Sequence, residues 1–151
     1  MRTVRERIPD GTAGVRVKLA RLRELVDRGR ADPNVRGLAL AAIARVPARN
    51  WGQESDAIHA DVRRRVRYTM DPVGVELFVE PGRLLGQPAG DCDDHVALLG
   101  AMLESVGHPI RFRVGGGGDK WSHVWLEALE RGRGWRSLDP IAKMEGLDFD
   151  P

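Results

Sequence analysis

The chain has 151 residues, 42% of them apolar, and a formal net charge of +2. This is the size of one compact domain, which buries about 70% of its unfolded surface and needs no disulfide or metal to hold it. A single cysteine excludes an internal disulfide, no apolar run approaches a membrane span, and "MRTVRERIPDG" lacks the apolar core of a signal peptide, so a cytoplasmic protein with no membrane association is expected.

Residues 1–70 read as helices. In "VRVKLARLRELVDRG", Val15, Leu19, Leu22 and Val26 recur at helical spacing, and Gly29 stands where a C-terminal cap would. Asp32 and Pro33 form an N-cap and first-turn pair that opens a second helix. Its stripe is Val35, Leu38, Ala42 and Val46, and Pro47 stops it. A third helix is expected from Ser55, with Ile58, Val62 and Val66 on one face, leading into "RYTMDP", a short extended piece and turn. His59 lies between these core-packing faces and reads as structural. The same residues carry 16 Lys and Arg against 8 Asp and Glu, densest in "RRRVR" at Arg63 to Arg67. A basic half can bind an acidic partner, nucleic acid included. A solvated helix face is the simpler reading, because no aromatic or glycine pattern of a nucleic-acid module accompanies the arginines.

Residues 71–151 reverse the balance, with 8 Lys and Arg against 14 Asp and Glu. "PVGVELFVEPGRLLGQPAG" is broken by Pro and Gly and reads mostly as loop. "DCDDHVALLGAMLESVG" returns to helix, with Val96, Leu99 and Leu103 on one face and Gly107 at its end. Three strand-like runs follow: "PIRFRVG", "WSHVWLEALE" and "GWRSLDP". In the second, His123, Trp125 and Glu127 share one face while Val124 and Leu126 share the other. No helix start follows "GGGGDK", so it reads as a hairpin connection rather than a phosphate loop. "ERGRGW" is the second turn. Helices, then a helix, then an antiparallel meander make an α+β fold.

The one cysteine stands among carboxylates, an unsuitable place for a spare core residue. With Asp91 as N-cap, Cys92 is the first residue of its helix, where the partial positive charge favours thiolate. Asp91, Asp93 and Asp94 oppose that effect, so a neighbouring imidazolium is needed. His95 follows within a turn and packs or caps beside the cysteine; His108 sits in a turn. His123 lies in a strand expected beside the helix of Cys92. Asp139 ends the next strand, where antiparallel pairing sets it beside His123 to orient the ring. Each residue also has a plainer role: an inert core thiol, a buried strand histidine, a turn-starting Asp-Pro. Asp93, Asp94 and His95 share one helix turn with Cys92 and leave no second ligand pair, so neither a metal nor another cofactor is expected. Trp121, Trp125 and Trp135 suit core or cleft walls, with Trp121, two residues before His123, the candidate for the substrate cleft.

"GDCDDHVALLGAMLESVGHPIRFRVGG", "WSHVWLEAL" and "GWRSLDP", in this order, resemble the transglutaminase-like superfamily. The likeness covers about residues 85–140, with a weaker match in "IHADVRRRVRYTMDP"; residues 1–50 match nothing recognisable. The resemblance implies a papain-like α+β core over residues 53–151, with residues 1–52 a helical region in the same unit or an extension of it. It implies a triad of Cys92, His123 and Asp139 acting on a peptide or protein substrate through a thioester. The backbone N–H of Cys92 is a natural oxyanion donor, and Gln87 is the nearest upstream amide for a second. Hydrolysis of a peptide or amide bond is favoured over transamidation because the chain is small. The competing expectation is a non-catalytic assembly protein that keeps the fold and works through its basic helical half.

Overall fold

The computed structural model describes residues 3–6, 11–68, 76–84, 89–90, 92–117 and 120–139. Helix α1 runs Gly11–Arg30 and buries Leu22, Leu25 and Val26. Gly29 lies inside this helix rather than capping it. A Cβ there would come within 2.7 Å of Ala101 and Pro81, so the glycine permits close packing and does not end the helix. Helix α2, Pro33–Ile43, opens as expected: the Asp32 side chain accepts from the Asn34 N–H and Pro33 follows it. It stops three residues short of Val46, whose N–H closes a turn onto Ile43.

Helix α3, Trp51–Arg65, begins four residues before Ser55 because Asn50 caps it, accepting from the Gln53 N–H at 3.1 Å. Its expected face, Ile58, Val62 and Val66, is buried. Strand β2, Arg67–Tyr68, follows α3 directly. The segment read as loop contains β3, Glu76–Val79, and a helical turn, α4, Pro81–Leu84. β3 pairs antiparallel with the N-terminal strand β1, Thr3–Glu6, with Thr3 opposite Val79. β4, Ala89–Gly90, lies parallel to β2, so the chain entering Cys92 is tied to the end of α3.

Helix α5, Cys92–Ser105, is the centre of the molecule. Asp93 through Leu103 are all buried, with α1, α2, α3 and α4 around them and a sheet behind. Gly100 is required by this crowding: a Cβ would lie 2.7 Å from Ile110 and 2.9 Å from Val26. The helix ends in a Schellman motif. Gly107 takes φ +93 while the N–H of His108 reaches Leu103 and that of Gly107 reaches Glu104.

Behind α5 runs the antiparallel meander β5, Ile110–Gly117, β6, Lys120–Glu130, and β7, Gly134–Leu138, in that spatial order. Val124, Leu126 and Ala128 enter the core with Leu138 and Ile110, as the alternation of β6 requires. Gly132 and Gly134, both at positive φ, make the second turn. Arg136 on β7 reaches Glu130 and Asp56, fixing the sheet to α3.

Candidate active site

Cys92 is the first residue of α5 and is half-buried. Its thiol donates to Asp93 Oδ1 at 3.6 Å, and the Asp93 carboxylate is buried. On α1, Lys18 sets its ammonium 3.0 Å from Asp93 Oδ2. That pairing offsets one of the negative charges which oppose a thiolate at this helix end. Lys18 was recoverable from the pattern. It stands four residues before Leu22 and seven before Leu25, on the packed face of α1, where an unpaired lysine is out of place.

His123 and Asp139 meet. The ladder pairs Leu126 with Leu138, so one further step sets Asp139 opposite Trp125 and makes His123 its diagonal neighbour on the same face. The His123 Nε2 donates to Asp139 Oδ2, and both side chains are almost wholly buried, at 4% and 3% exposure. A carboxylate so placed fixes both the ring's tautomer and its plane. The Trp125 indole stacks on the imidazole, with centroids 5.6 Å apart and planes 23° from parallel. Gly115, opposite His123 on β5, makes room: a Cβ there would lie 2.9 Å from the Trp125 ring. The glycine run read as a hairpin connection therefore includes a position demanded by packing.

The other histidines hold the frame. His95, fully buried, donates Nε2–H to the Val66 carbonyl at 2.9 Å and ties the first turn of α5 to the end of α3. His108 meets Glu54 at 2.8 Å and the edge of Trp51. His59 on α3 donates Nε2–H to the main-chain carbonyl of Asp139 at 2.6 Å. Burial holds the His59 pKa below the ordinary imidazole value. Arg63 works in the same direction, against the pull of the Asp139 carbonyl and the charges of Asp139 and Asp56.

Gln87 and Asp91 lie outside the described residues, as does the side chain of Trp121, of which only the place in β6 is known. Arg64 and Arg65 both meet Asp61 on their own helix; the side chain of Arg67 is outside the described residues. Among the described residues no group of three or more His, Cys, Asp or Glu is arranged to hold a metal ion, and no helix is long and apolar enough to cross a membrane. The chemistry open to the arrangement is that of a thiol at a helix N-terminus with a carboxylate-oriented imidazole on the sheet behind that helix.

Comparison with known proteins places the chain in a family and a fold. Residues 39–140 match the sequence model of the transglutaminase-like superfamily. No curated protein matches the chain in sequence. Among solved structures, a candidate cysteine protease from Cytophaga hutchinsonii is similar over 71% of this chain and 36% of its own, with a TM-score of 0.56 and 19% identity. A candidate protease from Parabacteroides distasonis is similar over 80% and 26%, at TM-score 0.58 and 14% identity. The ethylmercury-bound periplasmic domain of TgpA from Pseudomonas aeruginosa is similar over 79% and 49%, at TM-score 0.55 and 19% identity. The chain thus spans half or less of each of these structures, and the likeness is one of fold.

Proposed function

The chain belongs to the transglutaminase-like superfamily, whose members are generally cysteine enzymes, and from that premise we propose that it cleaves peptide or amide bonds through Cys92, His123 and Asp139. The observation that carries this reading is the buried bond between His123 and Asp139. It spends a buried carboxylate on orienting one ring, on the sheet packed behind the helix that the lone thiol heads.

In the proposed reaction the Cys92 sulfur attacks the carbonyl carbon of the substrate. The carbon–nitrogen bond breaks as His123 gives its proton to the departing amine, leaving a thioester on Cys92. Water then loses a proton to His123, attacks the thioester and frees the thiol. Asp139 occupies Nε2, so Nδ1 is the nitrogen that exchanges protons in both halves of the cycle. The N–H of Cys92 is one donor to the oxyanion and Gln87 the candidate second; Trp121 is the candidate wall of the cleft. An amine in place of water would give transamidation from the same intermediate.

Alkylation by iodoacetamide across pH tests the reading. Wild-type Cys92 should react as a thiol whose pKa lies well below about 8.5, each unit of lowering giving about tenfold more thiolate at pH 6. His123→Ala should restore ordinary thiol ionisation, and Cys92→Ser should lose all labelling. A wild-type rate that tracks ordinary ionisation would overturn the enzyme reading and favour the non-catalytic assembly protein.

A further inference from the structure

His59 does more than fill space between helices. The paired residues of β6 and β7 end at Leu126 and Leu138, so Asp139 stands one residue past the ladder that holds the rest of its strand. Pro140 follows it in sequence and brings no N–H of its own. The main-chain carbonyl of Asp139 instead receives the 2.6 Å bond from His59, across from α3. A carbonyl only accepts, so Nε2 of His59 carries the proton.

We propose that His59 is a positioning residue of the site: by clamping the Asp139 carbonyl to α3, it sets where the Asp139 carboxylate meets His123. The idea rests on the reading of His123 and Asp139 as the orienting pair, and it adds a third member acting through the backbone. Its position on α3 suits the task. The helix is anchored at its start by Arg136, which joins Asp56 to Glu130, and at its end by the Val66 carbonyl, which accepts from His95. The clamp therefore connects the end of β7 to a helix itself fixed to both the sheet and α5. Burial favours the neutral ring, and the clamp needs only its Nε2–H.

The geometry makes a discriminating test available. A glutamine amide nitrogen reaches about where Nε2 of histidine sits, whereas that of asparagine falls short, near Nδ1. The readout is the proton NMR signal of His123 Nε2–H in protein labelled with 15N-histidine, assigned by its absence in His123→Ala. A proton held by a buried carboxylate resonates far downfield and exchanges slowly. Wild type and His59→Gln should both keep that resonance. His59→Asn should shift it upfield or lose it to exchange while retaining a cooperative thermal transition, and His59→Ala should behave like His59→Asn. An unchanged resonance in His59→Asn would overturn the proposal, and so would its loss from folded His59→Gln, which keeps the donor. Cys92 alkylation, measured on the same samples, separates the two ideas. An ordinary thiol in wild type would refute the triad, while the resonance would still report whether His59 positions Asp139.

Discussion

Helices α1 and α5 pack against each other and are built on opposite rules. α1 buries the stripe of Leu22, Leu25 and Val26 and lets its charges pair beside it, Arg21 with Glu24, Arg23 with Asp27 and Glu104, Arg28 with Glu24 and Glu80. α5 buries every side chain from Asp93 to Leu103. A helix with a wet side can scatter its charges at little cost. A helix enclosed on all sides has no such side, so each polar group on it needs a partner from a neighbour. α5 meets that demand by gathering Asp93, Asp94 and His95 into its first turn, with Lys18 and the Val66 carbonyl among their partners. The same turn carries the thiol. On the proposed reading, this cluster of buried polar residues at one end of an apolar helix is where the chemistry takes place.

The largest effect expected from this contrast is in the core. Leu99→Ala, at a fully buried position of α5, should cost about 2–5 kcal/mol. Arg28→Ala, on the exposed side of α1, should fall within about 0.5 kcal/mol of wild type. Urea midpoints of the two variants would check this; equal losses would mean that α1 and α5 do not divide the stabilisation as their burial indicates.

Smaller changes at glycine sharpen the same contrast. Gly100→Ala forces a methyl group to within 3 Å of Ile110 and Val26, and overpacking of this kind costs about 1–3 kcal/mol. Gly37 lies inside α2 with open space around its Cβ position. There the alanine should add about 0.5–1 kcal/mol, by better helix propensity and a less disordered unfolded chain. Thermal melts of both variants should therefore move in opposite directions, and a loss at Gly37 would show that its helix is closed in as well.

Much of this was legible in the sequence because the signals are local. The stripes of the first three helices, the Asp32–Pro33 start, the opening of α5 at Cys92 and the alternation of β6 all follow from residues within a few positions of one another. The pairing of β1 with β3 was not legible: each strand has four residues, and the partners are separated by some seventy residues of intervening chain. Gly29 looked like a cap because a glycine near a helix end usually is one; the close approach of Ala101 and Pro81 is a tertiary fact. His123 and Asp139 could be paired from strand order alone. His59 could not be connected to them, since its partner is a main-chain carbonyl eighty residues away, and no residue type announces that.

The smallest expected effect is a slope, and it asks how a titrating group differs from the permanent charges of α1. Burial lowers the His59 pKa beneath the ordinary value of about 6.5. The unfolded chain therefore takes up this proton at a higher pH than the folded protein does. Above that ordinary value neither state is protonated, and the group leaves the stability independent of pH. As pH falls through about 6.5 toward the lowered folded value, the unfolded state gains protons first and stability declines. His59→Gln keeps a donor toward Asp139 but has no proton to gain, so its stability should fall less steeply between pH 7 and pH 5 than that of wild type. Arg28→Ala should leave the slope unchanged, because a guanidinium keeps its charge throughout this range. Urea midpoints taken at intervals from pH 8 to pH 5 would show wild type and Arg28→Ala running parallel while His59→Gln diverges only on the acid side. Three parallel curves would mean that His59 takes up its proton equally readily folded and unfolded, and its burial against Asp139 would then carry no electrostatic consequence.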